Sequence, residues 1–277
     1  MSIISIKNAN LENVYTKKTL ISSFSFDIND GDIILLSGTN GSGKSSLIKA
    51  IFGNQYTEED YALLTNSEIS FLEEENLSDL RDYTENFIYI DQNLEPGKIN
   101  RSVEKILIES IPDFVKDKKE YYRKFLDIYK ILTNEDTEGE YNFKKKKHLK
   151  PLLQRQYYTL SGGQKKWVCI LQGLIKVDCE DVKGAFIDEP LNNLDAKRIK
   201  QFSDILLRIK YLKQKESKEF ASVIVSHCKA FPKVTKLFEI ENAKLVNKEM
   251  NPSDCNSCFG PTDSYGFYNS EINPFNQ

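Results

Sequence analysis

The chain opens on alternation. Ile4 and Ile6 stand between small or polar neighbours, and Phe24, Phe26 and Ile28 are separated by Ser25 and Asp27, which is the period of half-buried strands. These two strands are expected to pair antiparallel and to end at the turn Asn29-Asp30-Gly31. Residues 33–36 are four apolar side chains in a row, as in a strand buried on both faces. After them Leu47, Ile48, Ile51 and Phe52 fall on one helical face, and Gly53 is placed to cap that helix. Two further strands are expected over 68–72 and 86–90, the second running into Asp91 and Gln92.

From 93 to about 159 helical spacing takes over. Val103, Ile106 and Leu107 share one face, and Tyr122, Phe125, Leu126 and Tyr129 recur at i, i+3, i+4, i+7. Val168, Leu171, Leu174 and Ile175 then predict a helix that starts at Ser161, where Ser161 and Gln164 have the spacing of a capping box. An apolar strand over 185–188 follows, ending in Asp188 and Glu189 and stopped by Pro190. Ile199, Phe202, Ile205, Leu206 and Ile209 line one side of another helix, and 221–225 is a last buried strand that ends at Ser226 and His227. From Asn251 onward no period remains, and the sequence reads as an extended tail.

Composition narrows the setting. A chain of 277 residues can bury a core without disulfides, and five cysteines at 169, 179, 228, 255 and 258 are read as thiols of a reducing compartment. Cys255 and Cys258 have metal-ligand spacing but lack a second nearby pair. A formal charge of -3 argues against binding duplex DNA or an anionic membrane through the overall field. The start of the chain lacks the basic and apolar blocks of a signal peptide, and no run approaches the ~20 apolar residues of a spanning helix. Residues 57–85 are strongly acidic and belong on a solvated face. Lys144, Lys145, Lys146, Lys147, His148 and Lys150 form a basic cluster, either a solvated loop or a contact for an acidic partner or lipid headgroups.

The chemistry concentrates after the strand at 33–36. Gly38, Thr39, Asn40, Gly41, Ser42, Gly43, Lys44 and Ser45 fit the pattern G-x-x-x-x-G-K-[ST]. In that pattern backbone N–H groups surround phosphate oxygens, the lysine reaches the outer phosphates and the hydroxyl binds Mg²⁺. Ser45 opens a helix, so the loop also brings the positive end of a helix dipole to the anion. Asp188 and Glu189 fit the second half of such a site, one carboxylate serving Mg²⁺ and the next able to take a proton from water. Gln92 and His227 each stand at the end of an apolar strand, as ordinary loop residues or as groups aimed at the same place. Tyr15 is either a partly exposed strand-end aromatic or a platform for a purine ring. Leu160-Ser161-Gly162-Gly163-Gln164 is a well-made helix start that also presents free amides and an open glycine surface to an anion.

Taken in order, these stretches resemble the nucleotide-binding domain of ATP-binding-cassette (ABC) proteins from residue 1 to about 249. Gly38 to Ser45 match Walker A, Gln92 the Q-loop, Leu160 to Gln164 an unaltered LSGGQ signature, Phe186 to Glu189 the end of Walker B, Leu194-Asp195 the D-loop and His227 the H-loop. The resemblance implies an α/β P-loop NTPase core, a mostly parallel sheet flanked by helices, with an N-terminal antiparallel β subdomain and an α-helical subdomain inserted at about 93–168. Residues 250–277 would be the tail.

The resemblance further implies an ATPase that uses ATP and Mg²⁺. Tyr15 would stack on adenine, and Lys44 with the loop from Gly38 through Ser46 would hold the phosphates. Ser45 and Asp188 would hold Mg²⁺, Glu189 would polarise the attacking water, and Gln92 and His227 would contact metal, water or γ-phosphate. Two cassettes would pair head to tail, as a homodimer or heterodimer, so that Ser161, Gly162, Gly163 and Gln164 complete the partner's site. Three stretches depart from the common pattern. Lys183-Gly184 shortens the run before Asp188, Gln172-Gly173-Leu174 stands where Arg-Ala-Leu is common, and the D-loop reads Leu191-Asn-Asn-Leu-Asp195.

Three functions compete. The first is the energy subunit of an ABC transporter, cytoplasmic and peripheral on the inner face of a membrane, docked on a separately encoded integral membrane permease. The second is a soluble ABC ATPase of cofactor assembly or maintenance, and the third is a pseudoenzyme that only binds ATP. DNA-repair members carry long coiled coils between Walker A and the signature, whereas the stretch from Lys44 to Ser161 is short and lacks sustained heptads, so no nucleic acid is expected as partner. Ribosome-associated members carry two cassettes per chain, and one set of motifs is present here. The pseudoenzyme conflicts with the presence of Lys44, Asp188, Glu189 and His227. The transporter subunit is the preferred reading and the assembly ATPase the alternative.

Overall fold

The computed structural model describes residues 1–52, 62–72, 74–77, 83, 86–91, 100–129, 152–179, 181–192, 194–227, 231 and 234–249. Gly53, Gln92, the basic cluster at 144–150, Asn193, Cys228 and the region from 250 onward lie outside the described residues. The fold separates into two compact units, one made by the chain up to Arg81 and from Ala221 onward, the other by Asp82–Phe220.

The first unit begins with the two expected strands, β1 (Ser2–Asn13) and β2 (Thr19–Asn29), paired antiparallel with Ile4 opposite Ile28 and Ile6 opposite Phe26. Alternation is what this pairing requires, because it sends the apolar set to one face, where Ile4, Ile6, Phe26 and Ile28 are buried. The turn after β2 places Gly31 at φ 79. Asp32, which follows it, accepts from the Asn29 amide at 2.8 Å and from the Thr235 hydroxyl at 3.1 Å and pairs with Lys236 at 2.5 Å. Those three partners account for a buried carboxylate at the entrance to β3 (Ile33–Gly38). Helix α1 (Lys44–Ile51) follows the loop, and Leu47, Ile48, Ile51 and Phe52 are fully buried, as their spacing requires.

The acidic stretch holds more strand than its pattern shows. Besides β5 (Glu68–Phe71), it forms β4 (Ala62–Thr65) and β6 (Glu74–Leu77). β4 pairs with β1 and β6 with β5, in an antiparallel sheet of order β2-β1-β5-β6. Four-residue strands on the partners' edges take their conformation from pairing, so their own sequence carries little period.

The second unit carries β7 (Phe87–Ile90), paired in parallel with β8 (Gly184–Asp188). Between them lie α2 (Val103–Ser110), α3 (Lys118–Ile128) and α4 (Gly162–Val177). The residues expected on their inner faces, Val103, Ile106, Leu107, Tyr122, Phe125 and Tyr129, are buried, and Leu126 is half-buried. Helix α5 (Ala196–Lys215) buries Ile199, Phe202, Ile205, Leu206 and Ile209. Near its C-terminus the Lys213 ammonium donates to the carbonyls of Cys179 and Val182, at 2.7 Å each, and so holds the turn that leads from α4 into β8. Burial pulls the Lys213 ammonium down to about 8, with Asp178 opposing the shift.

The remaining strands belong to the first unit. β9 (Ala221–Val225) and β10 (Lys236–Glu241) flank β3 in parallel, and β11 (Lys244–Lys248) closes a hairpin on β10. All five residues of β9 are buried, in keeping with a strand covered on both faces. Among the described residues no helix is long and apolar enough to cross a membrane.

The departure at Gln172-Gly173 has a packing cause. A Cβ on Gly173 would stand 2.1 Å from Ile90 Cδ1, so the β7 side chain occupies the space that alanine needs on α4. Gln172 Nε2 donates to Ser110 Oγ at 2.8 Å, which ties α4 to the end of α2. Gly173→Ala is expected to destabilise the fold by about 1–3 kcal/mol through overpacking. Adding Ile90→Ala should recover part of that loss, which melting curves of the single and double variants would read. Independent, additive losses would show that the two side chains do not compete for space.

Candidate nucleotide site

The loop between β3 and α1 is shaped by glycine at Gly38 and Gly43. Gly38 has φ 149, and a Cβ there would meet Ser42 Oγ at 2.8 Å and the Ile240 carbonyl at 3.0 Å. Gly43, at φ 102, is the N-cap of α1 and makes no side-chain cap, so the first amides of the helix face the loop. Thr39, Asn40 and Gly41 are exposed, and Ser42, Ser45 and Ser46 are half-buried. Lys44 is only 5% exposed. Its ammonium donates to the carbonyls of Gly38 at 2.9 Å and Thr39 at 3.0 Å and lies 3.2 Å from His227 Nδ1.

The same Nδ1 lies 3.3 Å from the Gly38 carbonyl, so it can accept from the ammonium or donate to that carbonyl, and the ring is tied to the loop either way. His227 itself is exposed and sits just past β9, whose end is bound to β3 by the Ser226 amide donating to the Leu36 carbonyl at 3.0 Å. The strand-end histidine and the loop lysine thus stand side by side within one unit.

A cavity of about 440 Å³ opens beside the loop, lined by Thr39, Gly41 and Ser42 and by Lys18, Leu20 and Asn242. The turn that brings Lys18 there also carries Tyr15. Asn13 builds this turn, its side-chain oxygen accepting from the amides of Tyr15 at 3.1 Å and Thr16 at 2.8 Å. Tyr15 is 71% exposed at its tip, too open for a core aromatic.

In the second unit the paired acids end β8. Asp188 and Glu189 are 2% and 3% exposed. Glu189 is held at φ 47, a left-handed conformation that costs a residue with a Cβ roughly 1–2 kcal/mol and is more costly still before Pro190. Strain of this kind collects where a side chain must be aimed. Asp188 Oδ2 accepts from the Tyr89 hydroxyl at 3.2 Å. Burial pushes the Tyr89 phenol well above its ordinary value, and the charges of Asp188 and Asp91 add to the effect. Burial likewise lowers the Lys166 ammonium of α4, against the opposing pull of Cys169, Asp188, Asp91 and Glu189.

The signature stretch forms the expected capping box. The Gln164 amide donates to Ser161 Oγ at 3.3 Å and the Ser161 amide to Gln164 Oε1 at 3.1 Å. Arg155 Nη1 also donates to that Oε1, at 3.2 Å. Ser161 and Gly162 are exposed, and a Cβ on Gly162 would meet nothing within 4 Å, so another surface can approach closely. Asp195 of the D-loop caps α5 through the Arg198 amide at 2.8 Å and pairs with the Arg198 guanidinium at 2.8 Å. Tyr89 and Lys166 were not singled out in the sequence, because nothing in their spacing marks them.

A protein-family model for the ABC transporter family matches residues 21–192, more than half of the chain. The chain belongs to that family. As an ABC ATPase nucleotide-binding domain it has curated relatives of several kinds. It is 26% identical to the phosphonates import ATP-binding protein PhnC of Fusobacterium nucleatum, over 77% of this chain and 80% of that protein. It is 25% identical to the lipoprotein-releasing system ATP-binding protein LolD of Aquifex aeolicus, over 88% of this chain and 96% of that one. Among solved structures, a nucleotide-free ATP-binding cassette from an ABC transporter superposes with a TM-score of 0.58 at 22% identity, covering 93% of this chain and 94% of the other. The P-loop NTPase α/β fold of this ABC cassette is thus shared with that structure.

Proposed function

We propose that this chain is the ATP-hydrolysing subunit of an ABC transporter, driving a separately encoded membrane permease from the cytoplasmic face. The contact between Lys44 and His227 carries the reading. It puts the lysine that addresses the outer phosphates beside an exposed histidine whose ring is placed to contact the γ-phosphate. Tyr15 stacks on the adenine, and the amides from Gly38 to Ser46 surround the phosphates.

Ser45 and Asp188 suit Mg²⁺, which takes one or two protein oxygens and fills its other positions from phosphate and water. Asp188 is a buried carboxylate at a strand end of its unit, and Ser45 a hydroxyl in the first turn of a helix of the other, each an oxygen donor of the kind Mg²⁺ takes. When bound, Mg²⁺ would supply charge neutralisation to the outer phosphates. Glu189 polarises the water in line with the γ-phosphate, from a buried position at a strained point of the backbone. Gln92, outside the described residues, is assigned to metal or water contact from its position after β7. Ser161, Gly162, Gly163 and Gln164 act on the partner cassette in a head-to-tail dimer, so the isolated monomer hydrolyses slowly.

The test is recovery of partners. Glu189→Gln protein with ATP and Mg²⁺ is passed over gently solubilised native membranes, and bound proteins are identified. A polytopic membrane protein, retained only with ATP, is the expected result. Reproducible recovery of soluble proteins alone would overturn the transporter reading in favour of an assembly or maintenance ATPase.

A further inference from the structure

Asp188 is nearly excluded from solvent, so its carboxylate takes its rotation from protein groups and not from bulk water. β7 pairs with β8 so that Tyr89 stands opposite Phe186 and Ile90 opposite Ile187. Residues two apart on a strand share a face, so Asp188 projects on the side of Phe186, the side on which Tyr89 lies. The Tyr89 hydroxyl meets Asp188 Oδ2 there, at 3.2 Å. Its ring has only two side-chain torsions, so the donor is held with little conformational freedom.

The strand carrying Tyr89 is itself held. Phe87 packs edge-on against Phe186 with centroids 5.8 Å apart, and Ile90 fills the space over Gly173 of α4. A slide of β7 would drive Ile90 into that helix, so the Tyr89 hydroxyl keeps its place relative to β8.

We infer that Tyr89 is a positioning residue for Asp188: its hydroxyl fixes the carboxylate's rotation through Oδ2 and thereby sets how Asp188 presents itself to a divalent cation. The inference rests on the proposed function, in which Asp188 serves Mg²⁺. Partners of metal-ligating carboxylates are worth about 10–100-fold in metal affinity or activity.

Tyr89→Phe removes one oxygen and keeps the ring. The probe is Mn²⁺ titrated by electron paramagnetic resonance in the presence of a non-hydrolysable ATP analogue. Mn²⁺ affinity is expected to fall about tenfold, with unchanged nucleotide affinity in EDTA and a small fall in melting temperature from the donor that Asp188 loses. In the Asp188→Asn background Tyr89→Phe should have no further effect on Mn²⁺, since the two groups act through one contact. Mn²⁺ affinity equal to wild type would overturn the inference while leaving the ATPase reading intact. A loss of metal-free nucleotide affinity in parallel with a large fall in melting temperature would also overturn it, reducing Tyr89 to a packing residue. If wild-type protein with nucleotide binds no Mn²⁺, the metal assignment of Asp188 fails, and Tyr89 loses its role with it.

Discussion

Glu189→Gln is expected to bind ATP as well as wild type and to turn over 10²–10⁴-fold more slowly, the range for loss of a positioned general base. Glutamine matches glutamate in size and keeps one acceptor oxygen, but an NH₂ replaces the other and the neutral amide cannot take a proton from water. The buried position and the left-handed backbone at Glu189 are retained, so geometry changes less than charge. A site that binds ATP but does not cleave it leaves the cassette in its nucleotide-bound state, and a stable dimer should appear by size-exclusion chromatography with light scattering. Phosphate release and nucleotide affinity, measured on the same preparation, separate the two effects. Turnover near the wild-type rate would remove Glu189 from the role of base and leave it as a strained residue at a strand end.

The sequence made most elements legible for a local reason. Where a helix buries one stripe, as α5 does with Ile199, Phe202 and Ile209, the period alone locates it. Ser161 and Gln164 announce the start of α4 because a capping box is chemistry between residues three apart. Walker A is legible because only glycine meets the backbone demands at Gly38 and Gly43. What stayed hidden depends on pairing between distant segments. Tyr89 gains meaning only through the register of β7 on β8, and the glycine at 173 only through the Ile90 side chain that enters the same space. β4 and β6 are held by β1 and β5, and four residues each are too few to show a period of their own. Lys213 reads as one more charge near the end of a helix, yet it is buried and engaged by two carbonyls of a turn more than thirty positions earlier.

Lys44→Ala is expected to weaken ATP binding by about 10- to 100-fold, since a charge-assisted hydrogen bond is worth about 1.5–3 kcal/mol. Two contributions enter that loss, and the nucleotide series separates them. The first is direct: the ammonium is the cation of the loop and addresses the outer phosphates, so its removal should cost ATP most, ADP less and AMP little. The second is indirect. The same ammonium joins the carbonyls of Gly38 and Thr39 to His227 Nδ1, so the variant loses three contacts that shape the loop before any nucleotide arrives. A purely indirect effect would weaken all three nucleotides alike, because a distorted loop presents its amides poorly to any phosphate. Isothermal titration with AMP, ADP and the ATP analogue therefore decides between them, with melting curves of the nucleotide-free proteins reporting how much of the loop's own stability the lysine supplied. Equal affinities for ATP in variant and wild type would exclude Lys44 from phosphate recognition, whatever the loop's shape.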